Sequence, residues 1–176
     1  MEWDVCGTSP RTAPEPRLPP VYSAAMSEID HRRFGVDLYN ATWELLEQTD
    51  RSPEDDDEML ARAHASMYHW GRFEGVQPEN LGRGHWLVSR VHAVLGQPDA
   101  AAYHAGRYVT IVRSGAGEPW DLAAALEASA RAAAVGGDFD AAERFEAEAR
   151  DVLATMDDPE DREVVEKDLA TLPRRA

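Results

Sequence analysis

Two histidines and a tryptophan fall inside A-H-A-S-M-Y-H-W-G, Ala63 to Gly71, in a chain that has six histidines in all. Imidazoles this close could ligate a metal, move a proton or line a polar pocket. On a helix, each residue advances about 100°, so His64 and His69 point about 140° apart and cannot share one ion. No H-E-x-x-H is present, which removes the zinc-protease arrangement. His85 and His92 align on one stripe, but two turns separate them by roughly 10.5 Å. His64, His69, His85 and His92 therefore read as packed side chains with hydrogen bonds or as a polar pocket. No metal ligand set and no cofactor are expected. His104 is expected to fill a slot between helices. Ser66, Ser89, Ser114 and Ser129 lack a G-x-S-x-G elbow, and G-R-G at Gly82–Gly84 has no preceding strand to make it a phosphate loop. No catalytic residue is assigned, and an enzyme is not indicated.

The other polar constellation is arginine-based. Asn80, Arg83, Leu87 and Arg90 follow an i, i+3, i+7, i+10 stripe, while Glu127 and Arg131 stand at i, i+4. Two arginines and an amide on one face could hold a carboxylate. Alternatively, Arg83 and Arg90 could meet Asp121 or Glu127 in an internal salt-bridge network. Both readings stand at this level. Trp86 is expected beside this region as core and Trp120 as a rim aromatic.

These groups must be carried by helices. The chain has 176 residues, 43% hydrophobic and 29% charged, with alanine well in excess of valine and isoleucine, a composition that suits one all-α domain. A formal charge of -15 makes a nucleic-acid backbone or an anionic membrane an unsuitable partner. No apolar run approaches the roughly 20 residues of a membrane span, and no secretory h-region opens the chain. A cytoplasmic location is expected. The single cysteine, Cys6, rules out an intramolecular disulfide. It lies in M-E-W-D-V-C-G-T-S-P-R-T-A-P-E-P-R-L-P-P, a proline-rich stretch without periodicity. Residues 1–25 are expected to be a disordered tail and residues 26–176 the folded domain. Met26 is a second candidate start.

Pro53, Pro78, Pro98, Pro119 and Pro159 each precede helix-like sequence, four of them followed at once by Glu or Asp. Proline fits the first helical position, and acids there face the positive end of the helix dipole. An unmarked start is expected at Phe139. Seven helices follow, over about 29–50, 54–74, 78–95, 98–113, 119–135, 138–156 and 159–172. The first should bury Phe34, Leu38, Ala41, Leu45 and Leu46, and the second Met59, Ala63, Met67, Trp70 and Phe73 or Glu74. Ser52 should cap the acidic run Glu54–Glu58.

Leu95–Tyr108 aligns with Gly136–Ala149 at an offset of about 41 residues, matching Gly96 to Gly137, Asp99 to Asp140, and Ala100 and Ala101 to Ala141 and Ala142. A turn glycine followed by D-A-A marks a helical-hairpin repeat. The run G-D-F-D-A-A at Gly137–Ala142, with Ala149, resembles the opening of the second helix in the tetratricopeptide repeat (TPR) family. The repeat is longer than the family's roughly 34 residues, and Leu126 and Ala133 stand where its first helix usually carries aromatics. Segments such as A-H-A-S-M-Y-H-W and G-R-G-H-W-L-V-S-R-V-H also resemble a group of small bacterial TPR-like proteins, a likeness that brings no activity with it. The resemblance implies a right-handed stack of three helical hairpins with a C-terminal capping helix, a TPR-like α-solenoid. Its first helices would line a groove.

The function expected from this is non-enzymatic binding of a protein or peptide, in part through a carboxylate, by Asn80, Arg83, Trp86, Arg90, Trp120, Asp121, Glu127 and Arg131. A small-molecule or metal-binding helical domain, hydrolytic in one version, is the alternative and would use the His/Arg cluster. A homo-oligomer whose groove is filled by a second chain is the third.

Overall fold

A computed structural model describes residues 29–175, so the expected tail and Cys6 lie outside the described residues. The chain forms α1 (His31–Leu46), α2 (Pro53–Trp70), α3 (Pro78–Val94), α4 (Pro98–Arg113), α5 (Pro119–Val135), α6 (Phe139–Ala154) and α7 (Pro159–Ala170). All five punctuating prolines stand at the first helical position, and Phe139 opens the unmarked helix. There an absent N–H costs no hydrogen bond and the fixed φ already suits a helix. Ser52 and Asp55 form a reciprocal capping box at α2, and Asp158 accepts from the Glu160 and Asp161 amides at α7.

Gly96 and Gly137, the matched turn glycines, have φ of 69° and 81°. After each, the chain donates back to the preceding helix, Gln97 N–H to the His92 carbonyl and Asp138 N–H to the Ala133 carbonyl, both at 2.9 Å. A left-handed residue with this bond ends a helix sharply, and only glycine adopts it without strain. The same stop thus sets the start of α4 and of α6.

Consecutive helices pack as the hairpins α1/α2, α3/α4 and α5/α6, which also stack on one another through α2 on α3 and α4 on α5. The odd helices form a second set of contacts, α1 to α3, α3 to α5 and α5 to α7, whereas the even helices make no comparable contacts with one another. Two layers result. The odd helices lie close together, and the even ones fan apart outside them. α7 packs on α5, and Val165, Leu169 and Leu172 join Leu153 and Met156 from the end of α6 in one apolar cluster. A second cluster joins Leu45, Met59, Ala63, Leu87, Val88 and Val91. The outward face of α7 is mostly charged, with Glu160, Glu163, Glu166 and Lys167 exposed, while Ile29, Phe34 and Tyr68 are exposed at the opposite end.

Three local expectations need correction. α1 stops at Leu46, because Arg51 folds back and donates to the carbonyls of Leu45 and Gln48. α2 stops at Trp70, so Phe73 and Glu74 lie in the loop beyond it, and Phe73 stacks edge-on against Trp70. Phe34 is exposed; the buried position of that turn is Gly35, whose missing Cβ would stand 3.1 Å from the Trp70 indole. Small residues here let α1 and α2 approach, and the Ser66 hydroxyl donates 2.7 Å to the Gly35 carbonyl across the same gap.

Gly82 plays this part between α3 and α4, where an added Cβ would fall 2.7 Å from the Tyr108 ring. That ring is buried and its hydroxyl is tied to Asp121, so it cannot swing aside. Gly82→Ala is expected to lower stability by about 2 kcal/mol in urea unfolding, as overpacking does. Loss of less than about 0.5 kcal/mol would show the α3–α4 contact to be loose.

Candidate functional site

The stripe on α3 and its partners on α5 meet on the inner layer. Arg83 donates through Nε and Nη2 to the two oxygens of Asp121, at 3.0 and 2.9 Å. Asp121 is 0% exposed, accepts the Tyr108 hydroxyl from α4 and the Glu118 backbone N–H, and so also caps its own helix. Hydrogen bonding to Asp121 raises the Arg83 guanidinium above its ordinary value, and burial with the neighbouring carboxylate pushes the Tyr108 phenol far up. Arg83 lies over the Trp120 ring at 4.5 Å. Trp120 therefore borders this ion pair, whereas Trp86 packs with the core and faces Trp43 at 5.4 Å. The Trp86 indole N–H is buried and finds no acceptor among the described residues.

Two turns further along α3, Arg90 reaches Glu127 at 3.1 Å and Asp168 of α7 at 2.5 Å. Arg131 donates to Glu127 at 2.7 Å and, beyond it, to the Asp168 carbonyl and the Thr171 hydroxyl at 2.8 Å each. Burial pushes the Glu127 carboxyl up and the Arg131 guanidinium down, while each ion pulls the other back toward its charged form. The i, i+4 pair on α5 is thus the joint through which α7 is fastened. Leu87, on the same stripe, is core.

The arginines expected in a groove are therefore held by internal carboxylates, and Asp121 and Glu127 face inward. What stays open is a cavity of about 240 Å³ lined by Val36, Tyr39 and Asn40 of α1, Trp70 of α2, and Asn80 and Arg83 of α3. Asn80 Oδ1 accepts the Gln77 N–H at 3.1 Å, which leaves its amide N–H₂ to donate. Arg83 uses Nε and Nη2 on Asp121, and no acceptor among the described residues engages its Nη1. Burial raises the Tyr39 phenol, so it stays protonated as a donor. Val36, Tyr39 and Asn40 were not singled out by the sequence, and Trp70 only as a packed residue of the second helix. They belong to a site only because α1 and α3 come together.

The histidines divide into two groups. His64, His85 and His92 gather around His104, with ring centroids 5.8, 5.1 and 5.8 Å from it. His69 leaves this group, as its helical angle requires, and pairs with His31 through Nδ1 atoms 2.9 Å apart. His104 is buried, at the position that aligns in sequence with Phe145, and its Nδ1 lies 2.9 Å from that of His85. His92 is also buried and its Nδ1 lies 2.6 Å from Gln97 Oε1. His64, expected on a packed face, is exposed at the rim of this group. Among the described residues no three His, Cys, Asp or Glu side chains are placed to hold a metal ion. No helix among them is long and apolar enough to cross a membrane. A scan against protein-family models, a search of curated proteins and a search of solved structures each return no match to this chain.

Proposed function

We propose that the chain is a TPR-like repeat protein, three helical hairpins in a right-handed stack closed by α7, that binds a peptide or protein segment on the face of α1 and α3. The cavity between those helices carries the reading. Its volume, about 240 Å³, is below the roughly 300–1,000 Å³ that encloses a drug-sized molecule, and suits one anchoring side chain of a larger ligand. Val36, Tyr39 and Trp70 form the apolar walls for that side chain. The amides of Asn40 and Asn80 and Arg83 Nη1 are placed at the same cavity to bond the ligand's carbonyls or a terminal carboxylate. Arg83 offers such a carboxylate one donor, not a two-toothed clamp, because Asp121 holds the other edge. The formal charge of -15 favours a neutral or basic partner over an acidic one, and argues against nucleic acid or an anionic membrane. Rigid hairpins presenting an inner face suit an extended segment.

The test is a cavity-filling variant. Val36→Trp and Asn40→Ala, each first checked for an unchanged Tm, are compared with the wild type in affinity capture, and a peptide from any captured partner is titrated by fluorescence anisotropy. Each variant is expected to weaken that peptide at least about tenfold, the loss of roughly one anchor or one good hydrogen bond. A partner that binds the filled cavity as tightly as the open one would sink this reading.

A further inference from the structure

All six histidines of the chain lie in α1 to α4, and each is in contact with another histidine. Four of them come from three helices and meet where the first hairpin packs on the second: His64 from α2, His85 and His92 from α3, His104 from α4. Neutral imidazoles pack this way readily, one ring nitrogen donating and the other accepting, as between His85 and His104. Charged ones do not. The groups that face the cluster offer a proton little compensation: α4 adds the Arg107 cation, which acts on His85, and Tyr103, edge-on to His104; the turn after α3 adds the neutral Gln97 amide, whose oxygen lies 2.6 Å from the Nδ1 of His92 alone. On the α5 side, Ala132 packs against Ala93 and Ala101. No carboxylate among the described residues pairs with any of these histidines.

We propose that this cluster is a proton-operated latch: acidification charges the α2–α3–α4 junction and parts the α1/α2 hairpin from α3/α4, while α5 to α7, which hold no histidine, stay closed. Burial above all, then the neighbouring His85, His64 and His92, lowers His104 to about 4. Partial burial and then the Arg107 cation lower His85, and for His64, at the rim, burial of the side of the ring turned to the cluster and then His92 act the same way. An opened junction would return these rings toward the ordinary value near 6.5. The open form then takes up protons first, so the closure is at full strength above about pH 7 and weakens as the pH falls from about 6.5 toward 4. The His31–His69 pair responds in the same direction, since burial and His31 lower His69. The inference does not depend on what the α1–α3 cavity binds.

Amide hydrogen exchange on the full chain without ligand, at pH 7.5 and pH 5.5 and corrected for intrinsic rates, tests it. Protection in α1 to α4 is expected to fall about tenfold at the lower pH, the effect of His104 alone with the values above, and α5 and α6 to be unchanged. His104→Phe, which installs the side chain that Phe145 supplies at the matched position, should abolish most of the change. His64→Asn, at the exposed rim, should fold regardless and reduce it. An equal loss of protection in both halves would overturn the latch, as would an undiminished response in both variants. A rise in Tm with micromolar Zn²⁺ at pH 7.5 that His104→Phe removes would also overturn it, by assigning the cluster to metal.

Discussion

Replacing Glu127 by alanine is expected to destabilise the protein by about 3–5 kcal/mol in urea unfolding at neutral pH. Glu127 is 1% exposed and is the acceptor between Arg90 and Arg131, whose side chains are themselves only 13% and 10% exposed. Its removal leaves two guanidiniums facing one another in a dry joint. Arg90 keeps Asp168, but Arg131 keeps only carbonyl and hydroxyl acceptors at the end of α7. Two cations without their shared anion disfavour the closed position of α7, so protection of the Val165 and Leu169 amides should fall first. A paired replacement, Glu127→Leu with Arg131→Met, is expected to recover most of the loss, because apolar groups of similar volume can stand in for a buried ion pair. A single Glu127→Ala costing under about 1 kcal/mol would mean that water fills the joint and that the pair is not a fastener.

Asp121→Ala should cost about 3 kcal/mol by a different route. Its carboxylate takes hydrogen bonds from three helices' worth of donors: the Arg83 guanidinium of α3, the Tyr108 hydroxyl of α4, and the Glu118 N–H that opens α5. The expected loss combines a missing helix cap, about 1 kcal/mol, with an orphaned buried hydroxyl and a cut ion pair. A double-mutant cycle separates these. Tyr108→Phe should cost about 1 kcal/mol in the wild type and almost nothing beside Asp121→Ala. Additive losses would place the hydroxyl's stabilising partner elsewhere. Because Arg83 rests on Trp120, release of the guanidinium should also change tryptophan fluorescence.

Most of the helical framework could be read from sequence because its signals are local. A proline at the first position, an acid beside it, and Gly96 or Gly137 at the stop each act within one turn. The end of α1 falls earlier than its pattern suggests because a side chain from beyond the helix, Arg51, takes the carbonyls of Leu45 and Gln48, while α2 stops at Trp70, short of Phe73 and Glu74. The polar residues were harder. Helical angles separated His64 from His69, but no spacing rule could bring His104 to the centre of the cluster, since three helices supply it. The stripe Asn80, Arg83, Arg90 was visible as a stripe; that Asp121 and Glu127 occupy its arginines depends on how α5 packs. Asp168, which reaches Arg90 from α7, carries no local mark at all.

The two ends of the stack differ in what they offer another molecule. At one, α7 turns Glu160, Glu163, Glu166 and Lys167 to solvent, a surface on which a further hairpin would have to desolvate charge. At the other, among the described residues, Ile29, Phe34 and Tyr68 are exposed beside His31 and His69. Such a body has a mainly charged terminus, where Val164 is the exposed large apolar side chain of α7, and a more apolar one. A contact between two of the more apolar ends would close after two copies, whereas head-to-tail growth into a fibre would require the mainly charged terminus to accept an apolar one. Were the more apolar ends of two copies to meet, the asymmetry would favour a closed pair over an open chain of copies.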